Sequence, residues 1–528
     1  MTRNASAREA QARQGAASRE ARSLKIGLLI VLAAATGVRL YRLSELPLGA
    51  FVDEIFTLNS TLLLRERPFD PFGHTLVISE AWGKDHPNLL LYFNLLVLKI
   101  FGVSYWSTKL LTVIPGVIAC GLVYLIARRM FDKRVALATA LLFTFAHWSV
   151  RLSRYGWDVC WMIALFAAAL WFLERGGVGQ ENILLTSTTP AAATIEASPY
   201  RARASRASAF PSSAEEGSFV VAGIAAGLSL YTYLGARIAV VSLLAFLAME
   251  CAVRRDRLAY RHAASFVIGL VLGALPFFIY YVSAPGAFWA RTSQVSVFAS
   301  PNPVRTILEN IAQHALMFHW RGGTFARDNF PGLPMLDPLT GILLIAGIVV
   351  LAQRRDTPAR LLFCTLLVNF TGGVLSVSQE GGPYVYRTAA VIVPAFLIAG
   401  VGLEWLMQKA GTRWLAITTA AIIAINLYLY FGLEPINTAA MRVMAYEPRM
   451  IGQQIARQNS PVRLNASDVL TQKEVHAHPG ERYPEANPAV ILPPELRKLA
   501  IIEFSGRYDM NRSLADNLAH PRDIYFVE

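Results

Sequence analysis

Charge is what this chain has least of. Asp, Glu, Lys and Arg make up 16% of its 528 residues, against 54% hydrophobic types, and mean hydropathy is +0.40. That balance excludes an ordinary soluble domain, in which about a quarter of residues are charged. Cysteine is equally sparse: Cys120, Cys160, Cys251 and Cys364 lie in or beside apolar segments and form no CxxC pair. Neither a disulfide framework nor a zinc site follows from them. No internal repeat is visible, so the usual sequence sign of a repeat-built transporter is missing. Acids are fewer than bases, 36 against 49, for a net charge of +13. A basic surplus can signal nucleic acid. Here the bases cluster in short stretches between apolar runs, as orientation signals do, and no nucleic-acid partner is expected.

What the chain does have is a succession of apolar runs near the ~20 residues a helix needs to cross a bilayer. Residues 1–23 are polar and Ala/Arg-rich and read as a disordered cytoplasmic leader. Residues 24–41 read as a retained first span, because Glu9 and Glu20 interrupt the basic region a cleaved signal peptide would need. The run from Asn88 to Phe101 is short for a crossing and reads as interfacial or re-entrant. Crossings at 106–126, 135–150, 159–173, 218–232, 238–252, 264–282, 339–351, 361–377, 389–406 and 414–430 complete a set of about eleven. Arg128-Arg129, Arg254-Arg255 and Arg354-Arg355 then all fall on the cytoplasmic side. The expected fold class is an all-α polytopic membrane protein in a bacterial inner membrane. Its transmembrane domain spans 24–430, with a flexible cytoplasmic linker at 174–217 and external loops at 44–105 and 284–337. The polar tail, 431–528, is expected on the periplasmic side as a small α/β appendage.

Within this greasy frame, the stretch from Phe51 to Asn59 carries two adjacent carboxylates, Asp53 and Glu54, just outside the first span. An ionised side chain beside hydrocarbon is costly unless it meets water, a cation or a substrate. The plain alternative is that Asp53 caps a short helix. His86-Pro87 opens the next apolar helix, which ends at Phe101-Gly102; Arg128-Arg129-Met130-Phe131 and Ser153-Arg154 leading to Asp158 follow.

This order resembles the GT-C glycosyltransferases of the protein O-mannosyltransferase and aminoarabinose transferase type (glycosyltransferase family 39-like), over roughly residues 25–410. Two positions depart from the family pattern: Asn88 stands where a second proline is usual, and Lys109 where an arginine is. The resemblance implies transfer of a sugar from a polyprenyl-phosphate carrier to an acceptor at the outer face, with inversion at the anomeric carbon. It matches Asp53 to the catalytic carboxylate, a general base, and Asp158 to the second acidic position. Glu54 could orient Asp53, bind the acceptor or ligate a metal. A divalent cation is left open, with Glu54, Asp158 and His86 as candidate ligands. The acceptor is a glycolipid, a polysaccharide or a protein.

A phosphate leaving group calls for cations that stay charged. The outer-face candidates are Arg387, Arg237, Arg321 and Arg327, with Lys84 and His86 nearby in sequence to Asp53. Snorkelling, or pairing with a neighbour such as Asp328, explains some of them equally well. Tyr386 and Tyr233 are the aromatic residues retained as substrate ligands. The loop at 284–337, with Gly322-Gly323 and Pro331-Gly332-Leu333-Pro334, reads as a lid. A transporter or flippase for a lipid-linked or anionic substrate is the alternative, and a non-catalytic assembly protein the third.

Overall fold

The computed structural model describes residues 2–51, 53–54, 57–58, 61, 78–79, 86–87, 89–102, 104–156, 158–178, 213–283, 285–378 and 381–444. In chain order its helices are α1 (Thr2–Leu40), α2 (Leu89–Phe101), α3 (Tyr105–Met130), α4 (Lys133–Phe145), α5 (His147–Leu152), α6 (Val159–Leu173), α7 (Ser213–Ser229), α8 (Ala236–Arg254), α9 (Arg257–Ser283), α10 (Pro285–Val295), α11 (Pro303–Leu316), α12 (Pro338–Ala352), α13 (Thr357–Val374), α14 (Ile392–Ala410), α15 (Thr412–Leu427) and α16 (Thr438–Val443). A two-residue antiparallel ladder pairs Ile78–Ser79 with His86–Pro87. Of the appendage expected at 431–528, all but 431–444 lies outside the described residues, as does most of the 174–217 linker.

Short polar turns start the helices where the hydropathy suggests. Ser104 and Ser107 form a reciprocal capping box at the head of α3. Asp132, Asp337 and Asp356 cap α4, α12 and α13, the last two with proline in the first turn. Gly411, at φ 90°, makes the turn between α14 and α15, a conformation that favours glycine. The first helix begins at Thr2, ahead of residue 24, so the polar leader is continuous with the first span.

Among the described residues, seven helical stretches are long and apolar enough to cross a membrane: Ser18–Leu40, Tyr105–Met130, Val159–Gly177, Ala236–Arg254, Arg257–Val282, Ala389–Ala410 and Thr412–Ile436. The other four expected crossings coincide with α4, α7, α12 and α13, which are shorter or less apolar. The expected re-entrant run is the 13-residue helix α2. Burial separates centre from rim: 83% of the Ala389–Ala410 window is buried, against 28% for α1, α9 and α15. Lipid tails give no hydrophobic drive between helices, so close packing must hold them. Gly223 and Gly227 on α7 meet Gly269 and Gly273 on α9. A Cβ at Gly223 would lie 2.0 Å from the Phe266 carbonyl, and one at Gly269 2.0 Å from that of Val220. Gly347 and Gly402 do the same between α12 and α14.

Because the helices alternate in direction, their ends sort into two groups. Glu20 meets Arg128 at 3.7 Å, Arg261 meets Glu216 at 2.5 Å and Arg360 meets Glu250 at 2.5 Å, so the basic turns lie at one end. The start of α3, the α5–α6 turn, the segment ahead of α12 and the segment ahead of α14 lie at the other. The 284–337 segment, read as a loop from sequence, forms α10, α11 and an irregular stretch after them. On α11, polar Asn310 and His314 are buried while Val304, Leu308, Ile311 and Leu316 face outward.

Candidate active site at one end of the bundle

The floor of the site is the chain that leaves α1. Arg154, at the α5–α6 turn, donates to the carbonyls of Val38, Tyr41, Arg42 and Leu46 at 2.6–3.0 Å. It lies under the rings of Tyr430 and Phe431, each 5.3 Å away. Tyr105 then donates toward the carbonyls of Pro47 and Gly49 at 2.7 and 2.8 Å. A buried guanidinium with five donors suits a bare run of carbonyls, because unsatisfied polar groups in a dry interior are expensive. The path into Phe51 is thereby fixed.

The two adjacent carboxylates part company after Phe51. Glu54 turns inward, reaches back to the Phe51 amide at 3.2 Å and ion-pairs with Lys109 of α3. Gly156 lets it in, since a Cβ there would stand 3.1 Å from Glu54 Oε2. Its side chain is 4% exposed and that of Lys109 is 0%. Reaching back to an amide three residues earlier is what a capping-box carboxylate does. The capping role considered for Asp53 therefore belongs to Glu54.

Asp53 turns the other way. Its Oδ2 accepts from Arg327 Nη1 at 3.2 Å, across 274 residues of sequence, and its side chain is 18% exposed. Arg327 also forks onto neighbouring Asp328 and lies between the rings of Phe51, Phe325 and Tyr386, at 4.6, 5.0 and 4.6 Å. Burial opposes the Arg327 charge, but Asp328, Tyr386 and Asp53 together hold its pKa well above the usual arginine value. Burial, reinforced by Asp328, likewise pushes the Tyr386 hydroxyl far up, so it stays protonated.

The remaining expected residues divide. Burial raises the Tyr233 hydroxyl, which also feels Arg387, Arg327, Asp158 and Asp328, so these groups share one electrostatic neighbourhood. Asp158 stands at the head of α6, buried, and makes no capping hydrogen bond; desolvation lifts its carboxyl to about 7. A surface helix cap, the plain alternative for that residue, does not describe it. Arg387 donates to the Val377 carbonyl at 2.9 Å and lies 5.0 Å from the Tyr384 ring. Arg237 points to α10 instead, where it donates to the Phe288 carbonyl at 2.8 Å and to Thr292 at 2.9 Å. Arg321 is exposed. Lys84 lies outside the described residues; His86 is in the short ladder, and its side chain is outside them too.

Among the described residues no three His, Cys, Asp or Glu side chains come together in a way that could hold a metal. Glu54 is committed to Lys109 and Asp53 to Arg327, so neither presents a bare carboxylate pair. Residues to which the sequence assigned no role at the site are equally prominent. Lys109 is one, and Arg151 with Glu434 another: a second fully buried ion pair beside the site. Their signal was a lone charge within an apolar run.

A model of the dolichyl-phosphate-mannose-protein mannosyltransferase family matches residues 85–193. The crystal structure of ArnT from Cupriavidus metallidurans bound to undecaprenyl phosphate superposes with a TM-score of 0.50 at 17% identity, covering 82% of this chain and 81% of that one. The chain has the fold of the GT-C glycosyltransferases. The chain also aligns with the apo oligosaccharyltransferase of Archaeoglobus fulgidus (14% identity, TM-score 0.49, 87% of this chain and 62% of that one). A further alignment is with the S. cerevisiae Pmt1-Pmt2 complex bound to its sugar donor (14%, TM-score 0.35, 50% and 34%). No curated protein matches the sequence.

Proposed function

We propose that this protein is a membrane glycosyltransferase that takes a sugar from a polyprenyl-phosphate carrier, with Asp53 as general base. The observation that carries the reading is the split between the two carboxylates. Asp53 is 18% exposed beside a guanidinium, whereas Glu54 is 4% exposed and sealed against Lys109. A base must reach the proton it takes, so Asp53 is the one that can act and Glu54 the one that holds the loop. The basic turns at the opposite end support a periplasmic face for the site by the positive-inside rule.

Each group then has a task. Arg327 neutralises Asp53 in the absence of donor. A donor phosphate would compete for that guanidinium, leaving Asp53 turned to the acceptor hydroxyl. Arg327 and Arg387, in one field around Tyr233, would take up the charge that grows on the departing phosphate. Attack on the anomeric carbon from the face opposite the phosphate inverts it: the acceptor oxygen gains the sugar, Asp53 gains the proton and the carrier leaves as its phosphate. Protonated Tyr386 and Tyr233 donate hydrogen bonds to the sugar.

The test is transfer and sugar release from a panel of short-chain polyprenyl-phosphate hexoses and pentoses by the purified protein. Loss of a general base typically reduces rate by ~10²–10⁴-fold, and Asp53→Asn should fall in that range with unchanged thermal unfolding. Full activity in Asp53→Asn, or carrier movement across vesicles without bond cleavage, would overturn the reading, the second outcome in favour of a flippase.

A further inference from the structure

Behind the Asp53–Arg327 contact lies a second array that the reaction does not use directly. Glu434, near the end of the last membrane-length stretch, Thr412–Ile436, faces Arg151 of α5 with both oxygens, Oε1 at 3.2 Å from Nη1 and Oε2 on Nη2. The pair bridges 283 residues of sequence, with side chains 3% and 0% exposed. Nη1 of Arg151 also donates to the Tyr155 hydroxyl at 3.0 Å and to the Ala326 carbonyl at 3.4 Å. Ala326 is the residue before Arg327.

The same segment supports the other half of the contact. Asn437 donates to Glu434 at 3.3 Å and caps α16 by accepting from the Ala440 amide at 3.0 Å. From α16, Ala440 and Met444 pack with Phe51, Tyr155 and Ala326 in one small apolar cluster. Phe51 lies two residues before Asp53, and its ring meets Phe325 edge-on at 5.9 Å. The residues leading into Asp53 and into Arg327 are thus held by one body made of Arg151, Tyr155 and 434–444. A desolvated ion pair adds little net stability over an apolar replacement, but it fixes geometry because each fork has one good partner.

Resting on the glycosyl-transfer reading, we infer that Arg151 and Glu434 are positioning residues that set Arg327 against Asp53. The stretch around Glu434 that follows α15 is then a working part of the site. A displacement near 1 Å at a reacting centre is worth up to ~100-fold, so partial loosening should be visible in turnover.

The test uses the full-length protein in detergent and the same donor panel, with Glu434→Gln, Tyr155→Phe, Arg327→Lys and the two doubles. Glu434→Gln keeps shape and loses charge; it should lower kcat about 10-fold, with donor KM changed less than about 3-fold, and Glu434→Asp should recover part of the loss. Tyr155→Phe should lower kcat about 2- to 5-fold in the same direction. The deciding measurement is the cycle with Arg327→Lys. If Glu434 acts through Arg327, its removal should change kcat by less than about 2-fold once Arg327 is already altered. Additive losses in that cycle, or a fall in thermal stability with kcat intact, would show a purely structural pair and overturn the inference. Should Glu434→Gln fail to fold, the Tyr155→Phe cycle decides alone by the same criterion. Activity retained in Asp53→Asn would instead sink the underlying reading, so the two failures are distinguishable.

Discussion

The two ends of the bundle carry charge in opposite ways. At the basic end most of the ions keep some exposure: Arg254 pairs with Asp256 two residues on, with side chains 37% and 44% exposed, and Arg261 with Glu216 at 51% and 30%, while Arg360–Glu250 is the drier pair at 20% and 8%. At the site end three pairs are more buried and distant in sequence. Glu54 meets Lys109 across 55 residues, Asp53 meets Arg327 across 274 and Arg151 meets Glu434 across 283. Exposed charge of one sign orients a chain in the bilayer and tolerates change. Buried charge of both signs has to be matched atom by atom, so it fixes geometry that lipid contact cannot. If this division of labour is right, substitutions should separate by end.

The largest effect is expected at Lys109. Lys109→Ala leaves Glu54 buried without its cation, which typically destabilises by about 3–5 kcal/mol. Thermal unfolding in detergent should show it, and transfer should fall with it because the Phe51 turn loosens. The double variant Lys109→Met with Glu54→Leu should recover most of the stability, since an apolar pair of similar volume replaces the ions. A single variant as stable as the wild type would erase the contrast between the ends.

How much of this was legible beforehand follows the same division. The apolar runs announced the helices, because hydropathy is a local property of short windows. Asp53 was legible for the same reason: two acids in an apolar stretch stand out. Its partner was not, since nothing in a sequence says that residue 327 folds back over residue 53. Asp328, noted as a possible neighbour of Arg327, does fork onto it. Lys109 was visible as a departure from the family pattern, but its bond to Glu54 depends on α3 starting one turn from the Phe51 loop. Arg237 shows the converse, an outer-face arginine whose chemistry is to hold α10. The helices within the 284–337 stretch were not singled out beforehand; α11 buries Asn310 and His314 and leaves Arg305 and Glu309 exposed beside Val304 and Leu308.

A middle-sized effect is expected at Asp158, and it sharpens the comparison through pH. Burial lifts its carboxyl from 3.8 to about 7. A raised acid is protonated when folded while its unfolded counterpart is already ionised. Between those values the folded state therefore binds more protons, and stability falls as pH rises until about 7, then levels off. Asp158→Asn has no such titration. From pH 5 to 7 its stability relative to the wild type should improve by roughly 2–3 kcal/mol, with no further change above that. Unfolding curves of both proteins across pH 5 to 8 measure it. Parallel curves would mean that Asp158 is ionised and solvated, and would move it out of the dry group.

The smallest effect is expected at the other end. Arg254→Ala removes one member of an exposed pair whose attraction is screened by water and salt, so the loss should be under about 1 kcal/mol and should shrink further at high ionic strength. Transfer by the purified variant should match the wild type, because no contact links Arg254 to the site end among the described residues. The comparison turns on this quiet variant as much as on Lys109→Ala. A loss at Arg254 as large as that at Lys109 would mean that the exposed charges are also part of the packing. The sorting of chemistry to one end and orientation to the other would then fail at its simpler half.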